Sequence, residues 1–209
     1  MAQHLVVHPT HPQPRLIRRA ADIVRDGGLI AYPTDSSYAL GCALGHADAT
    51  ERLRRIRDVD ERHHLTLVLA NLAVLGQFTR LDSWQFRIVR QGVPGPYTFI
   101  LPATREVPRR LQHPKRRTIG LRVPAHPVVA ALLQELDAPL LSSTLLLPGD
   151  EQPLNDAAVI HDRLGKSLDA IVDAGPCPAE PTTVVDLASE PPQITRLGRG
   201  DPQKLGLAQ

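Results

Sequence analysis

The stretch LIAYPTDSSYALG, residues 29–41, sets a short apolar run directly before a polar, proline-containing loop. Leu29–Tyr32 reads as a buried β-strand that Pro33 stops, because proline has no backbone N–H to offer a sheet. Upstream, Pro14 opens a helix with Leu16, Ile17, Ala20, Ile23 and Val24 on one face, and Gly27-Gly28 closes it. The same alternation continues downstream. Asp48 with Glu51 makes a capping-box-like start for a helix through Ile56. Leu65–Leu69 is a strand, Asp82 caps a helix to about Arg90, and Thr98–Leu101 and Thr118–Val123 are strands. Pro127 takes the first position of a helix whose inner face is Val128, Val129, Leu132, Leu133 and Leu136. Pro139–Thr144, LDAIVD, TTVVDL and ITRL complete the extended segments. Strands alternating with helices from end to end, with no repeat or composition break, predict one α/β domain.

The composition supports a packed core: 42% of the 209 residues are hydrophobic and 22% charged. Only 3% are aromatic, so Leu, Val, Ile and Ala must fill that core. The longest apolar runs, such as Val128–Leu133, are too short to cross a bilayer, and the N-terminus lacks a signal-peptide pattern. A cytoplasmic protein with no membrane partner is expected, its Cys42 and Cys177 reduced. The net charge of +2 is undiagnostic, but arginines cluster at Arg15/Arg18/Arg19, at Arg52–Arg62 and at Arg105–Arg117. Arginine's planar fork suits the phosphates of a nucleotide or an RNA.

Several familiar signatures fail. Gly165-Lys166-Ser167 resembles the end of a P-loop, but Ile160 stands where the first glycine belongs. Gly198-x-Gly200 meets Gln203 where a dinucleotide fingerprint needs its third glycine, and no G-x-S-x-G is present. His4, His8 and His11 lack an acidic or cysteine partner, so no protein-bound metal is expected. What remains is a series of polar loops at strand ends: YPTDSSYALG (32–41), RIRDVDERHHLTLVL (55–69), PGPYTFIL (94–101), GLRVPAHP (120–127), PLLSSTLLLPG (139–149), PTTVVDL (181–187) and Arg196.

In this order, across roughly residues 13–200, these loops resemble the YrdC-like, threonylcarbamoyl-adenylate synthase family. The Ser-Tyr-Ala ending of the first loop, Tyr97 and the TLLLPG stretch resemble its YciO branch. The resemblance implies a YrdC-like twisted mixed sheet flanked by helices around a basic concave cavity. It divides the chain into a 1–12 extension, a 13–200 domain and a 201–209 tail. It also implies synthesis of threonylcarbamoyl-AMP from threonine, bicarbonate and ATP for tRNA modification, with Mg²⁺ accompanying the nucleotide.

Carried over residue by residue, the resemblance makes Thr34, Tyr38, His63, Thr98 and Arg122 substrate-binding residues. Ser142, Ser143, Thr144, Thr182 and Arg196 become nucleotide-binding, and Arg57, Arg122 and Thr34 catalytic. Two positions depart from the pattern. Val59 falls where the synthases carry an arginine, and Leu146 where they carry an asparagine. Each lost preorganised donor costs about 2.7–4 kcal/mol of transition-state stabilisation, so weak or altered synthase activity is expected. Arg62 or His63 is a candidate replacement for the missing cation. Two alternatives stand beside this reading. One is a non-enzymatic protein that binds double-stranded RNA or tRNA through its arginines. The other is a hydrolase or transferase acting on a related acyl-adenylate. The sequence carries no signal for an oligomeric state.

Overall fold

The strand-forming segments meet in one sheet, seen in a computed structural model that describes residues 1–207. In chain order the strands are β1 (Gln3–Val6), β2 (Ile30–Pro33), β3 (Tyr38–Ala43), β4 (Thr66–Val68), β5 (Tyr97–Pro102), β6 (Thr118–Arg122), β7 (Leu140–Thr144), β8 (Ala170–Asp173), β9 (Thr183–Asp186) and β10 (Gln193–Arg196). The helices are α1 (Pro14–Arg25), α2 (Ala47–Arg57), α3 (Leu75–Phe78), α4 (Ser83–Gly92), α5 (Pro127–Leu136) and α6 (Ala157–Leu164). The sheet order is β1-β8-β2-β3-β7-β4-β6-β5-β9-β10, with parallel and antiparallel neighbours mixed. The expected α/β mixed sheet is therefore present. No helix among the described residues is long and apolar enough to cross a membrane.

Side-chain alternation along the strands divides the sheet into two unequal faces. On one face Leu40, Leu67, Phe99, Leu121, Leu141 and Val185 join α2, α4 and α6 in a core that runs along the sheet. On the other, Ile30, Tyr32, Ala39, Ala170 and Val172 pack under α1 and α5. These two helices cover only one end of that face. Beyond them, β7, β4, β6 and β5 present mainly hydroxyls and an arginine, with Val68 on β4 and Val184 on β9 among them.

The local signals behave mostly as read. Pro14 and Pro127 sit at helix starts, and Gln85 accepts from the Asp82 N–H at 2.6 Å at the start of α4. Gly27 has φ +86 just past α1, where Gly28 N–H donates to the Ile23 carbonyl and closes the helix. One capping expectation is corrected. Helix α2 starts after His46, so Asp48 lies inside its first turn, where a carboxylate still favours the helix dipole.

Besides the one-turn helix α3 and the short 3-10 turns, three elements were not anticipated. The first is β3, in what reads as loop. The second is α6, capped by Asp156, which accepts from Ala158 and Val159 N–H groups. The third is β1, within the segment read as an extension: it pairs in parallel with β8, and Leu5 and Val7 are buried. Within the segment read as a tail, Leu205 is buried in the main core, whereas residues 208 and 209 lie outside the described residues.

Deleting residues 1–7 should therefore cost stability, by about 1.5–3 kcal/mol for each of Leu5 and Val7. Urea unfolding checks this; an unchanged midpoint would show that β1 contributes nothing to the sheet.

Candidate functional site

The uncovered part of the sheet forms a cavity of about 120 Å³ with Arg57, Arg122, Arg196 and His63 around it. Its floor comes from alternate residues of neighbouring strands, including Thr66 and Val68 on β4, Thr98 on β5, Ser142 and Thr144 on β7, and Val184 on β9. A larger surface groove of about 950 Å³ runs from Leu72 to Arg87; it holds two arginines, Arg80 and Arg87, together with the carboxylate of Asp82.

Arg122 is the most constrained group in the cavity. It is 6% exposed and ends β6, and its guanidinium reaches the turn between β2 and β3. One terminal nitrogen donates to Ser36 Oγ at 2.9 Å, to Thr34 Oγ1 at 3.3 Å and to the Asp35 carboxylate. The turn is prepared for this. Thr34 Oγ1 donates to the Ser37 carbonyl at 2.6 Å and accepts from the Ser36 and Ser37 N–H groups. Asp35 also accepts from the Ala125 N–H at 2.9 Å. Thr34 is thus a support behind Arg122 and does not itself line the cavity. Arg122 Nε is buried with no hydrogen-bond partner. Leaving such a donor unpaired costs about 1–3 kcal/mol, more for a charged group, so an acceptor from a ligand is expected there.

Arg196, at the end of β10, is held by the residue before β9. Its Nε donates to the Thr182 carbonyl and a terminal nitrogen to Thr182 Oγ1, both at 2.9 Å. Thr182 Oγ1 in turn lies 2.8 Å from Thr98 Oγ1. Gly198 makes this possible: a Cβ there would fall 2.2 Å from the Pro181 carbonyl oxygen and 2.7 Å from the Thr182 carbonyl. Arg57, at the end of α2, donates through Nε to Ser143 Oγ at 3.1 Å. The pKa values of Arg57 and Arg196 are pushed below the ordinary arginine value. Burial is the larger cause for each, followed by the neighbouring charge of Arg196 on Arg57 and of Arg122 on Arg196. Cations held this close repel one another, and a polyanion between them relieves that repulsion.

The remaining predicted residues divide by strand parity. Ser142 Oγ donates to the Leu40 carbonyl at 2.9 Å, so its contact with Tyr32 at 2.7 Å must use the tyrosine proton. Burial pushes the Tyr32 pKa up to about 12, which keeps that proton in place. Thr144 lines the cavity. His63 is exposed at its mouth. Tyr38 is not at the cavity. It begins β3, so Ala39 takes the cavity face, while Tyr38 is buried in the opposite core and its hydroxyl donates to the Gly175 carbonyl at 2.9 Å. Val59 and Leu146 are half-buried and outside the lining, and Arg62 is exposed outside it.

The sequence reading missed His64, Thr66 and Val184 as lining residues; the two-residue period running back from Val68 to Thr66 was the available signal. It also missed Ser36. His64 Nε2 lies 2.8 Å from Thr118 Oγ1, and its ring stacks on His113 with centroids 4.8 Å apart. Burial, and then His113 and Arg116, lower the His64 pKa to about 4. Among the described residues no cluster of three metal-ligating side chains occurs.

The chain is similar to known proteins in sequence and in fold. A family model of Sua5, YciO and YrdC proteins, described as "Telomere recombination", matches residues 22–198. YciO of Escherichia coli K12 is 47% identical over 201 residues, covering 96% of this chain and 98% of that protein. Its crystal structure superposes with a TM-score of 0.95, covering 98% of this chain and all of that one. A threonylcarbamoyl-AMP synthase of Halorhodospira halophila is 34% identical over 165 residues, covering 78% of this chain and 85% of that protein. Pyrococcus abyssi Sua5, solved in complex with L-threonine, shares the fold with a TM-score of 0.85 and 24% identity, over 93% of this chain and 57% of that one. The chain belongs to the Sua5/YciO/YrdC family.

The depressed His64 pKa predicts a pH dependence of stability. A histidine that resists protonation when folded, but not when unfolded, draws protons to the unfolded state as pH falls. Stability should therefore decline from about pH 6.5 towards pH 4. His64→Asn, which can still bond Thr118, should lack that share of the decline. Chemical denaturation across this range checks it; identical profiles for the two proteins would contradict it.

Proposed function

We propose that this member of the Sua5/YciO/YrdC family binds the phosphates of ATP beside a small amino acid, and makes threonylcarbamoyl-AMP slowly. The observation that carries the reading is the buried, unpaired Arg122 Nε in a cavity with Arg57 and Arg196 and no carboxylate among its described lining residues. The 34% identity to a named threonylcarbamoyl-AMP synthase supports the choice of reaction. The enclosed volume of about 120 Å³ is small for a whole nucleotide. It suits phosphates or a carbamate, with the nucleoside lying out across the open face.

In this reaction threonine's amine and bicarbonate give a carbamate and water. A carbamate oxygen then attacks the α-phosphorus, and pyrophosphate leaves. Two anions must meet, so the protein's part is charge compensation and positioning, with little covalent chemistry. Arg122 and Arg196 both line the cavity and hold the anions. The Thr98–Thr182 pair and Thr144 offer hydroxyls between them. Mg²⁺ arrives with the nucleotide: Asp35, the carboxylate beside Arg122, is engaged by Arg122 and Ala125, and phosphate oxygens are its natural ligands. Slowness follows from Val59 and Leu146. Neither can donate a hydrogen bond, and neither reaches the cavity.

A second reading has its own support. Arg105, Arg109, Arg110, Lys115, Arg116 and Arg117 are exposed on the single excursion between β5 and β6, a surface suited to RNA phosphates. Binding of that kind weakens steeply with salt and ignores sequence.

Pyrophosphate release dependent on threonine and bicarbonate is the test. Turnover should lie about a hundredfold or more below that of an ordinary synthase. Val59→Arg with Leu146→Asn should recover part of the deficit, and Arg57→Ala should abolish what remains. Wild-type turnover equal to a synthase's would refute the account of slowness; release indifferent to threonine would refute the reaction. Arg196→Ala should weaken ATP binding by about 1.5–3 kcal/mol, the scale of a charge-assisted bond. Calorimetry on the folded variant measures it, and unchanged affinity would remove Arg196 from the site.

A further inference from the structure

We infer that the helical face of the sheet, on the side away from the cavity, docks on a second copy of the chain, with α4 of each copy seated against α6 of the other. The contact is independent of what the cavity binds.

The basic half of the contact is the groove of about 950 Å³ beside α3 and α4. Leu72, Leu75, Leu81 and Phe86 line it together with Arg80 and Arg87. Phe86 is 39% exposed. A lone exposed hydrophobe needs no partner, but an aromatic ring among three leucines in a groove forms an apolar patch. Gln85, Val89 and Gly92 are the buried positions of α4, so the helical period turns Arg87 and Arg90 outward. Arg80, Arg87 and Arg90 make no ion pair with any described residue. Asp82, the carboxylate of the groove, is the N-cap of α4, where its charge answers the helix N-terminus.

The acidic half is α6. Its buried positions are Ala157, Ile160 and Leu164, which turn Val159 and Asp162 outward one turn apart. Val159 is 43% exposed, another of the few large hydrophobics open on the described surface. Asp162 is almost fully exposed, and its ion-pair partner among the described residues is its neighbour His161, at 3.9 Å. The one arginine of α6, Arg163, is already held by Asp150 through bonds of 2.7 and 3.1 Å. Exposed Glu151 adds to the negative charge, and Lys166, beyond the helix, opposes it. One helix thus offers a ring among free arginines, and the other a small aliphatic side chain beside a free carboxylate.

Placement makes the match reciprocal. Both helices pack on the same face of the sheet, with α2 in that layer too. Helix α6 packs on β8, next to one edge strand, whereas Gln85 of α4 donates to the Leu187 carbonyl just after β9, next to the other edge strand. A two-fold axis between two such faces sets α4 over the partner's α6 and α6 over the partner's α4, so the same contact forms twice. Near the axis, α2 exposes Glu51 and Arg55, one charge of each sign and 3.3 Å apart, so two copies of that helix meet without net repulsion.

Sedimentation equilibrium of the whole protein tests the contact. At about 0.05 M salt the mass should rise from the monomer's 22.9 kDa towards twice that value as protein goes from about 1 μM to about 1 mM. About 0.5 M salt should weaken the dimer, because exposed charges are then screened. Arg87→Glu and Asp162→Arg should each weaken it about tenfold or more, since each puts like charges together in both contacts. Mixing the two variants should restore it, because every contact in the mixed pair again joins opposite charges; the double variant should dimerise as the wild type does. Both positions are exposed, so thermal unfolding of the variants should match the wild type. A mass of 22.9 kDa at every concentration would overturn the inference. So would a dimer indifferent to both charge reversals, which joins through another surface. Growth beyond two copies would overturn the two-fold arrangement.

Discussion

The contact between Arg122 and the β2–β3 turn is the constraint on which the rest of the site depends. It joins residues 87 apart in sequence and places a permanent cation where water barely reaches. Desolvating a guanidinium is expensive, and Asp35 answers only part of that cost. Removing one partner of such a pair typically costs 3–5 kcal/mol, so turn and strand are committed to each other. The unpaired Nε is the remainder. A fold that needed Arg122 only for stability would have closed that donor with a protein oxygen. Arg122 itself lines the cavity, consistent with a polar group retained for binding.

The sheet explains why such a group is tolerated. Helices α1 and α5 cover one end of a face whose other end carries hydroxyls. Parity makes the change abrupt. On β7, Leu140 packs under the helices while Ser142 and Thr144, two and four residues on, face the cavity. On β4, Val68 serves both regions. The opposite face stays aliphatic along its length, so the fold does not need the polar half for its core. Stability and binding thus occupy opposite sides of the same strands.

Much of this was legible in the sequence because strand ends carry the polar residues. Thr98, Arg122, Ser142, Thr144, Thr182 and Arg196 each lie in or beside an extended segment, most of them near one of its ends, and the structure brings them together. The errors have local causes. Tyr38 was placed at the site because YPTDSSYALG reads as one loop. In fact β3 starts at Tyr38, and a one-residue step moves a side chain to the other face. Strand β1 has only four residues, and its partner lies more than 160 positions away, so no local pattern reports it. Asp48 resembled a cap because its spacing to Glu51 is right, but the helix begins one residue earlier, at Ala47. Arg122 takes Asp35, not Asp186, as its carboxylate partner. The structure gives Asp186 to Arg116 instead, in a two-pronged contact that holds its carboxyl below the usual range despite burial.

On the proposed function, the half-covered sheet face receives the anionic part of the ligand and Arg122 Nε completes its hydrogen bonding there. A crystal structure of the protein soaked with a non-hydrolysable ATP analogue and L-threonine tests it most directly. The account predicts a phosphate or carboxylate oxygen within hydrogen-bond distance of Arg122 Nε, with Arg196 in contact with the same ligand. A nucleotide bound instead on the exposed arginines between β5 and β6, with Arg122 Nε still unpaired, would contradict it.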